Sequence, residues 1–185
     1  MQKIDFNNGI KTFNRGGHDP ISQTHREILD GNPQLVPTSG TKHQFLSLKI
    51  AVALLTHVES RNLGRVLQAP CDVVLSREFV IQPDIAFIGK GRSGLIGEKS
   101  MWGPPDLIVE ILSRETRERD RIMKRKIYSR FEVKEYWMAD LDFETIEVLL
   151  WSELGYASAG IYDKSQSLSS PALPEIKLPL GKVFG

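Results

Sequence analysis

At 185 residues and 41% hydrophobic side chains, the chain is the size of one ordinary domain with enough apolar material for a real core. A single cysteine, Cys71, excludes an intrachain disulfide framework, and the first thirty residues lack an apolar stretch suited to a signal peptide or membrane span, so the composition predicts a soluble cytoplasmic protein. The net charge of +1 argues against a protein that grips nucleic acid with its whole surface, yet residues 114–134 hold nine Lys/Arg and four Asp/Glu, a local excess of +5.

In chain order, residues 1–25 lack apolar periodicity and predict an irregular lead-in. From His43 to about Asn62, Phe45, Leu48, Val52 and Leu55 recur at three- and four-residue intervals, with Lys42, Lys49 and Ser60 off that stripe, and this spacing predicts a helix. Short β-favouring runs follow at 65–68, 71–75 and 85–88, punctuated by Pro and Gly, and read as neighbouring strands. The glycine-rich stretch 89–103 reads as a mobile loop. Residues 106–112, Asp-Leu-Ile-Val-Glu-Ile-Leu, predict a strand covered on both faces, with Glu110 in its middle. Ser113 and Thr116, with Glu115 and Glu118 behind them, predict a helix start, the helix running to about Phe131. Residues 135–140 and 145–151 predict a hairpin, and the Ser/Pro-rich segment 165–185 an irregular tail.

Three residues stand out chemically. A carboxylate in an apolar strand is unfavourable by several kcal/mol unless a cation or hydrogen bonds compensate it, so Glu110 needs a metal ion, an arginine or an edge position facing water. Asp84, in Gln82-Pro83-Asp84-Ile85, stands where a turn enters a strand; alone it could merely cap backbone amides. Two carboxylates on adjacent strands are together what a hard cation such as Mg²⁺ takes. On a helical wheel Asp120 and Lys124 share the apolar face with Ile127 and Phe131, pointing inward, either as a surface-type pair four residues apart or with Lys124 in a site. Zinc-finger spacings, a GxSxG nucleophile turn and a P-loop are all missing from the sequence. His43 reads as a structural histidine.

Cys71-Asp-Val-Val-Leu-Ser76, Gln82-Pro-Asp-Ile85, Gly103-Pro-Pro-Asp-Leu-Ile-Val-Glu-Ile-Leu-Ser113 and Val133-Lys-Glu-Tyr-Trp137 occur in order, with Asp120, Lys124 and Tyr128 between the last two. Together these blocks resemble the restriction endonuclease domain family within the PD-(D/E)XK nuclease superfamily, over about Arg26 to Trp151. Glu27-Ile-Leu-Asp-Gly31, Pro37 and His43 are similar to that family's opening, a strand pair leading into the first helix. The resemblance implies an α/β restriction endonuclease-like core at 26–164, a central mixed β-sheet flanked by α-helices with an N-terminal β-hairpin extension. It also implies that Glu27, Asp84 and Glu110 converge at one end. The superfamily's lysine two residues beyond the acid is Leu112 here, and Lys124 is the position that matches a lysine displaced onto the following helix.

The expectation is a Mg²⁺- or Mn²⁺-dependent endonuclease acting on DNA. Asp84 and Glu110 would hold the metal, Glu27 would add a ligand or order a water, and Lys124 would assist the nucleophile. The runner-up is a catalytically inactive nuclease fold serving as a dimeric binding or scaffold module. A homodimer is expected of the family in either case.

Overall fold

The computed structural model describes residues 24–37, 39–113 and 117–185. Most of the expected irregular lead-in, 1–23, lies outside the described residues. The elements are β1 (Thr24–Leu29), β2 (Asn32–Pro37), α1 (Thr41–Ser60), β3 (Gly64–Gln68), β4 (Asp72–Val74), β5 (Val80–Ile81) and β6 (Ile85–Gly89). After a 3-10 turn at Lys90–Leu95 come β7 (Ser100–Trp102) and β8 (Leu107–Leu112), then a π-helical turn at Arg119–Lys124 running into α2 (Arg125–Arg130). The chain closes with β9 (Glu135–Asp140), β10 (Thr145–Ser152), β11 (Gly155–Asp163), β12 (Ser167–Leu168), β13 (Leu178–Pro179) and α3 (Leu180–Phe184).

Two main sheets form. The larger has the order β11-β10-β9-β8-β6-β3, with β8 and β9 parallel and the other neighbours antiparallel. The smaller, β2-β1-β5-β4-β7, takes in the N-terminal hairpin, whose two-residue turn Asp30-Gly31 has both φ angles positive, as a tight hairpin requires. The period of two along β8 divides the interior. Leu107, Val109 and Ile111 face a core shared with Leu46, Ile50, Leu54 and Val58 of α1, while Ile108 and Leu112 face Ile127, Tyr128 and Leu29. Glu110 shares the parity of Ile108 and Leu112, so it enters the second core.

Several expectations are corrected. The helix at α1 forms, but its buried face is Leu46, Ile50, Leu54 and Val58, while Phe45, Leu48, Val52 and Leu55 are exposed. Both stripes satisfy helical periodicity, which cannot by itself choose between them. The loop 89–103 is ordered: Met101 on β7 is wholly buried and pairs beside β4, and Arg92 ties Asp106 to the Pro104 carbonyl. The helix expected over 113–131 is part π and part α, with 114–116 outside the described residues.

The irregular tail expected at 165–185 instead forms β12, β13 and α3, and it supplies Leu168, Leu173, Ile176, Leu178, Leu180 and Val183 to the main core. Its apolar residues follow neither period, because they approach the sheet from a winding path. Glu135 anchors this segment, accepting from Trp137 Nε1 at 2.5 Å and from Ala172 N at 2.8 Å. His57 Nε2 donates to Pro174 O at 3.0 Å.

Candidate active site

The site lies where β1, the lead into β6, β8 and the π turn meet. β6 and β8 pair only from Ile85↔Val109 to Phe87↔Leu107, and the next residues outward are Asp84 and Glu110. Pro83 has no N–H for the ladder. There Asp84 Oδ2 accepts from Ile111 N at 2.7 Å, a side chain standing in for a strand partner. The capping role that a turn-to-strand aspartate suggests is thus met by a neighbouring strand. Glu27 on β1 acts similarly, its Oε1 accepting from Gln82 N at 3.0 Å. Both carboxylates are therefore pinned by main chain.

Lys124 projects from the end of the π turn into this group, fully buried. Its Nζ lies 2.8 Å from Glu110 Oε1, 3.0 Å from Glu27 Oε1 and 3.7 Å from Asp120 Oδ1. Tyr128 adds a second donor to Glu110 Oε1 at 2.5 Å. Arg119 reaches Glu27 Oε2 at 3.5 Å, and His43 Nε2 lies 3.3 Å from Asp84 Oδ2. Of the sequence-predicted residues, Glu27, Glu110 and Lys124 are in direct contact, and Asp84 joins them across the Ile111 amide.

Negative charge outweighs positive here. Burial, reinforced by Asp120, Asp84 and Glu27, pushes Glu110 up to about 8 despite the Lys124 ammonium beside it. Burial alone would lower Lys124, but Glu110, Glu27 and Asp120 hold its ammonium well above the ordinary lysine range. Likewise burial acts to lower His43, and the hydrogen bond and charge of Asp84 raise it overall.

The sequence reading named Tyr128 and His43 but left them, with Arg119, outside the candidate site. Tyr128 falls off the wheel drawn at 100° per residue; a π turn, closing i→i+5 bonds, rotates less per residue and brings Tyr128 round to the face of Asp120 and Lys124. For His43 the available signal was its place in the segment similar to the family's opening, at the start of α1.

Among the described residues, no group of three or more His, Cys, Asp or Glu side chains is arranged as a cage for a metal ion. The donor chemistry nevertheless suits a hard divalent cation. Three carboxylates, those of Glu27, Glu110 and Asp120, gather around one lysine with Asp84 nearby, and two of their buried oxygens, Glu27 Oε2 and Asp120 Oδ1, lack a hydrogen-bond partner. Mg²⁺ takes few protein ligands, all oxygen, and keeps several waters.

An acidic cluster with an inward lysine at the end of a mixed sheet defines a nuclease-like α/β fold. The structure is similar to the crystal structure of a protein described as a putative nuclease from Anabaena variabilis ATCC 29413, with a TM-score of 0.74 and 16% identity, covering 88% of this chain and 91% of that one. At that identity the likeness speaks for the fold. The profile of the Uma2 family, described as "Putative restriction endonuclease", matches residues 21–181, and the chain belongs to this family. Membership supports nuclease function in general terms. Comparison with curated proteins gives no match. No helix among the described residues is long and apolar enough to cross a membrane.

Proposed function

We propose that the protein is a divalent-metal-dependent endonuclease that hydrolyses phosphodiester bonds of DNA. The observation that carries this reading is the buried contact of Lys124 with Glu110 and Glu27, beside an Asp84 pinned at the strand end. A lysine so placed costs desolvation that an ordinary core would avoid, and its charged form is retained.

Asp84 and Glu110 would hold Mg²⁺ or Mn²⁺, with Glu27 as a further ligand or the acceptor that orders a water. When bound, such an ion lowers the pKa of its water and offsets charge on the scissile phosphate. Lys124 orients the attacking water through its N–H donors and steadies the charge that develops on phosphorus-bound oxygen. Tyr128 and the main chain of Ile111 fix the rotamers of Glu110 and Asp84, so the acids do not reorganise during attack. Outside the helix, Arg121, Arg125, Lys126 and Arg130 line a groove with Trp151 and Tyr156, and this basic, aromatic wall favours a polymeric phosphate substrate over a small ester.

A second reading, an inactive nuclease fold used as a binding or scaffold module, draws on one observation: Lys124 satisfies much of the acidic cluster as an internal ion pair. The test is cleavage of duplex DNA with Mg²⁺, Mn²⁺ or chelator, alongside calorimetric titration of each metal. The proposal expects metal binding and metal-dependent cleavage, with cleavage abolished in Glu110→Ala and Lys124→Ala. Wild-type protein that binds neither metal and cuts neither DNA nor RNA would leave the scaffold reading.

A further inference from the structure

The acids of the site differ in how far solvent reaches them. The side chains of Glu27, Glu110 and Asp120 are 4% exposed or less, whereas that of Asp84 is 16% exposed. A hydrated divalent cation, which gives up its waters reluctantly, therefore meets the Asp84 carboxylate first. What that carboxylate offers depends on how its two oxygens are already used. Among the described residues its side-chain contacts fall on one of them: Oδ2 accepts from Ile111 N at 2.7 Å and stands 3.3 Å from His43 Nε2. One oxygen is thus committed to the protein, and Oδ1 is left to a ligand.

The Ile111 amide alone does not secure that division. Rotation of an aspartate carboxylate about its last bond is soft, and a single N–H leaves the two oxygens free to exchange places. A second donor arriving from another element removes that freedom. His43 comes from the first turn of α1, 41 positions away from Asp84, and the following turns of that helix are locked into the main core by Leu46, Ile50 and Leu54. The ring is therefore carried on a rigid support. Packing does not account for a histidine at this place. Its side chain is 9% exposed, and its other nitrogen, Nδ1, is buried without a hydrogen-bond partner. A leucine would fill the space without stranding a polar atom. Nor is the ring set to take a cation itself, because Nε2, the nitrogen that reaches the acids, is already turned to Oδ2.

We propose that His43 is a positioning residue for divalent-cation binding: together with the Ile111 amide it holds Asp84 Oδ2, and so presents Oδ1 as the one oxygen through which Asp84 takes the ion. Groups that orient a metal ligand in this way govern affinity without touching the metal. The inference rests on the metal-binding reading above and adds to it a residue outside the ligand set.

Calorimetric titration of the full chain with Mn²⁺ tests it, at about pH 8 so that protons compete little, with thermal melting in chelator beside each titration. His43→Leu is expected to weaken Mn²⁺ binding about 10- to 100-fold, the loss usual for such a partner, and to melt in chelator no lower than the wild type, since the stranded Nδ1 is gone. His43→Gln, whose amide N–H reaches the place of Nε2, should bind Mn²⁺ nearly as the wild type does. His43→Asn, whose shorter amide stops at the place of Nδ1, should lose as much as His43→Leu, and it decides the matter even where leucine disturbs the fold. Equal Mn²⁺ affinity in the wild type, His43→Leu and His43→Asn overturns the proposal and leaves the metal-binding reading standing. A loss in His43→Gln as large as in the other two also overturns it, since the imidazole would then be a ligand in its own right. A wild type that binds no Mn²⁺ overturns both.

Discussion

Replacing Glu110 by Gln removes one charge and leaves the shape almost intact. The amide oxygen can keep both donors, Lys124 Nζ and Tyr128 Oη, that now converge on Glu110 Oε1. In the unfolded chain Glu110 ionises near its ordinary value of 4.5, while in the fold it holds its proton to about 8. Between those two values the folded state binds more protons than the unfolded state, so stability falls as pH rises and levels off above about 8. At 1.36 kcal/mol per unit, that interval amounts to about 3 to 5 kcal/mol lost by the wild type and not by Glu110→Gln. The assay is urea unfolding in chelator, followed by tryptophan fluorescence from about pH 5 to pH 9, the span over which this linkage acts. The two proteins should be of similar stability at the acid end, and the variant should be the more stable at the alkaline end by a few kcal/mol. Curves that run parallel across the whole range, with the variant lower throughout, would show that Glu110 carries no raised pKa and serves as a structural ion-pair partner.

Three further outcomes follow from the packing. Lys124→Met leaves Glu27, Glu110 and Asp120 without their shared ammonium and should cost about 3 to 5 kcal/mol in urea unfolding at neutral pH, as broken buried pairs do, while eliminating cleavage; a loss below about 1 kcal/mol would mean the ammonium does not hold the cluster. Leu180→Ala, in the C-terminal segment, should cost about 2 to 5 kcal/mol by the same measurement, since its side chain is wholly buried in the main core. Gly64→Ala should yield little folded protein, because a Cβ there would stand 2.0 Å from the Ile88 carbonyl oxygen across the β3 and β6 pair; thermal melting within about 1 kcal/mol of wild type would refute that approach.

Much of the site was legible because burial and charge conflict openly in the sequence. Glu110 in an unbroken apolar strand demanded a partner, and the wheel put Lys124 inside. What stayed hidden arose from choices that periodicity leaves open. Helix α1 has two apolar stripes, and which one meets the sheet depends on strands distant in sequence. The π turn rotates Tyr128 into the site by a backbone irregularity that carries no composition signal. Arg119 and His43 are placed by what they touch, Glu27 and Asp84, and those contacts span 92 and 41 positions of chain. The C-terminal segment hid for another reason, since its Pro- and Ser-rich sequence looks like linker while every few residues one apolar side chain drops into the core.

That last segment bears on how the molecule comes into being on the ribosome. The face of the larger sheet that packs on α1 is completed by Leu168, Leu173, Ile176, Leu178, Leu180 and Val183, and Glu135 at the head of β9 finds two of its three donors only at Ser170 and Ala172. Synthesis is vectorial, so strands β6, β8 and β9 emerge with one apolar face covered only in part, by α1, and with a glutamate that lacks two of its three donors. Native packing of the strands that carry Asp84 and Glu110 therefore waits until residues 168–183 have cleared the exit tunnel, and a nascent chain stalled before that point holds the acids without the closed sheet that sets their spacing.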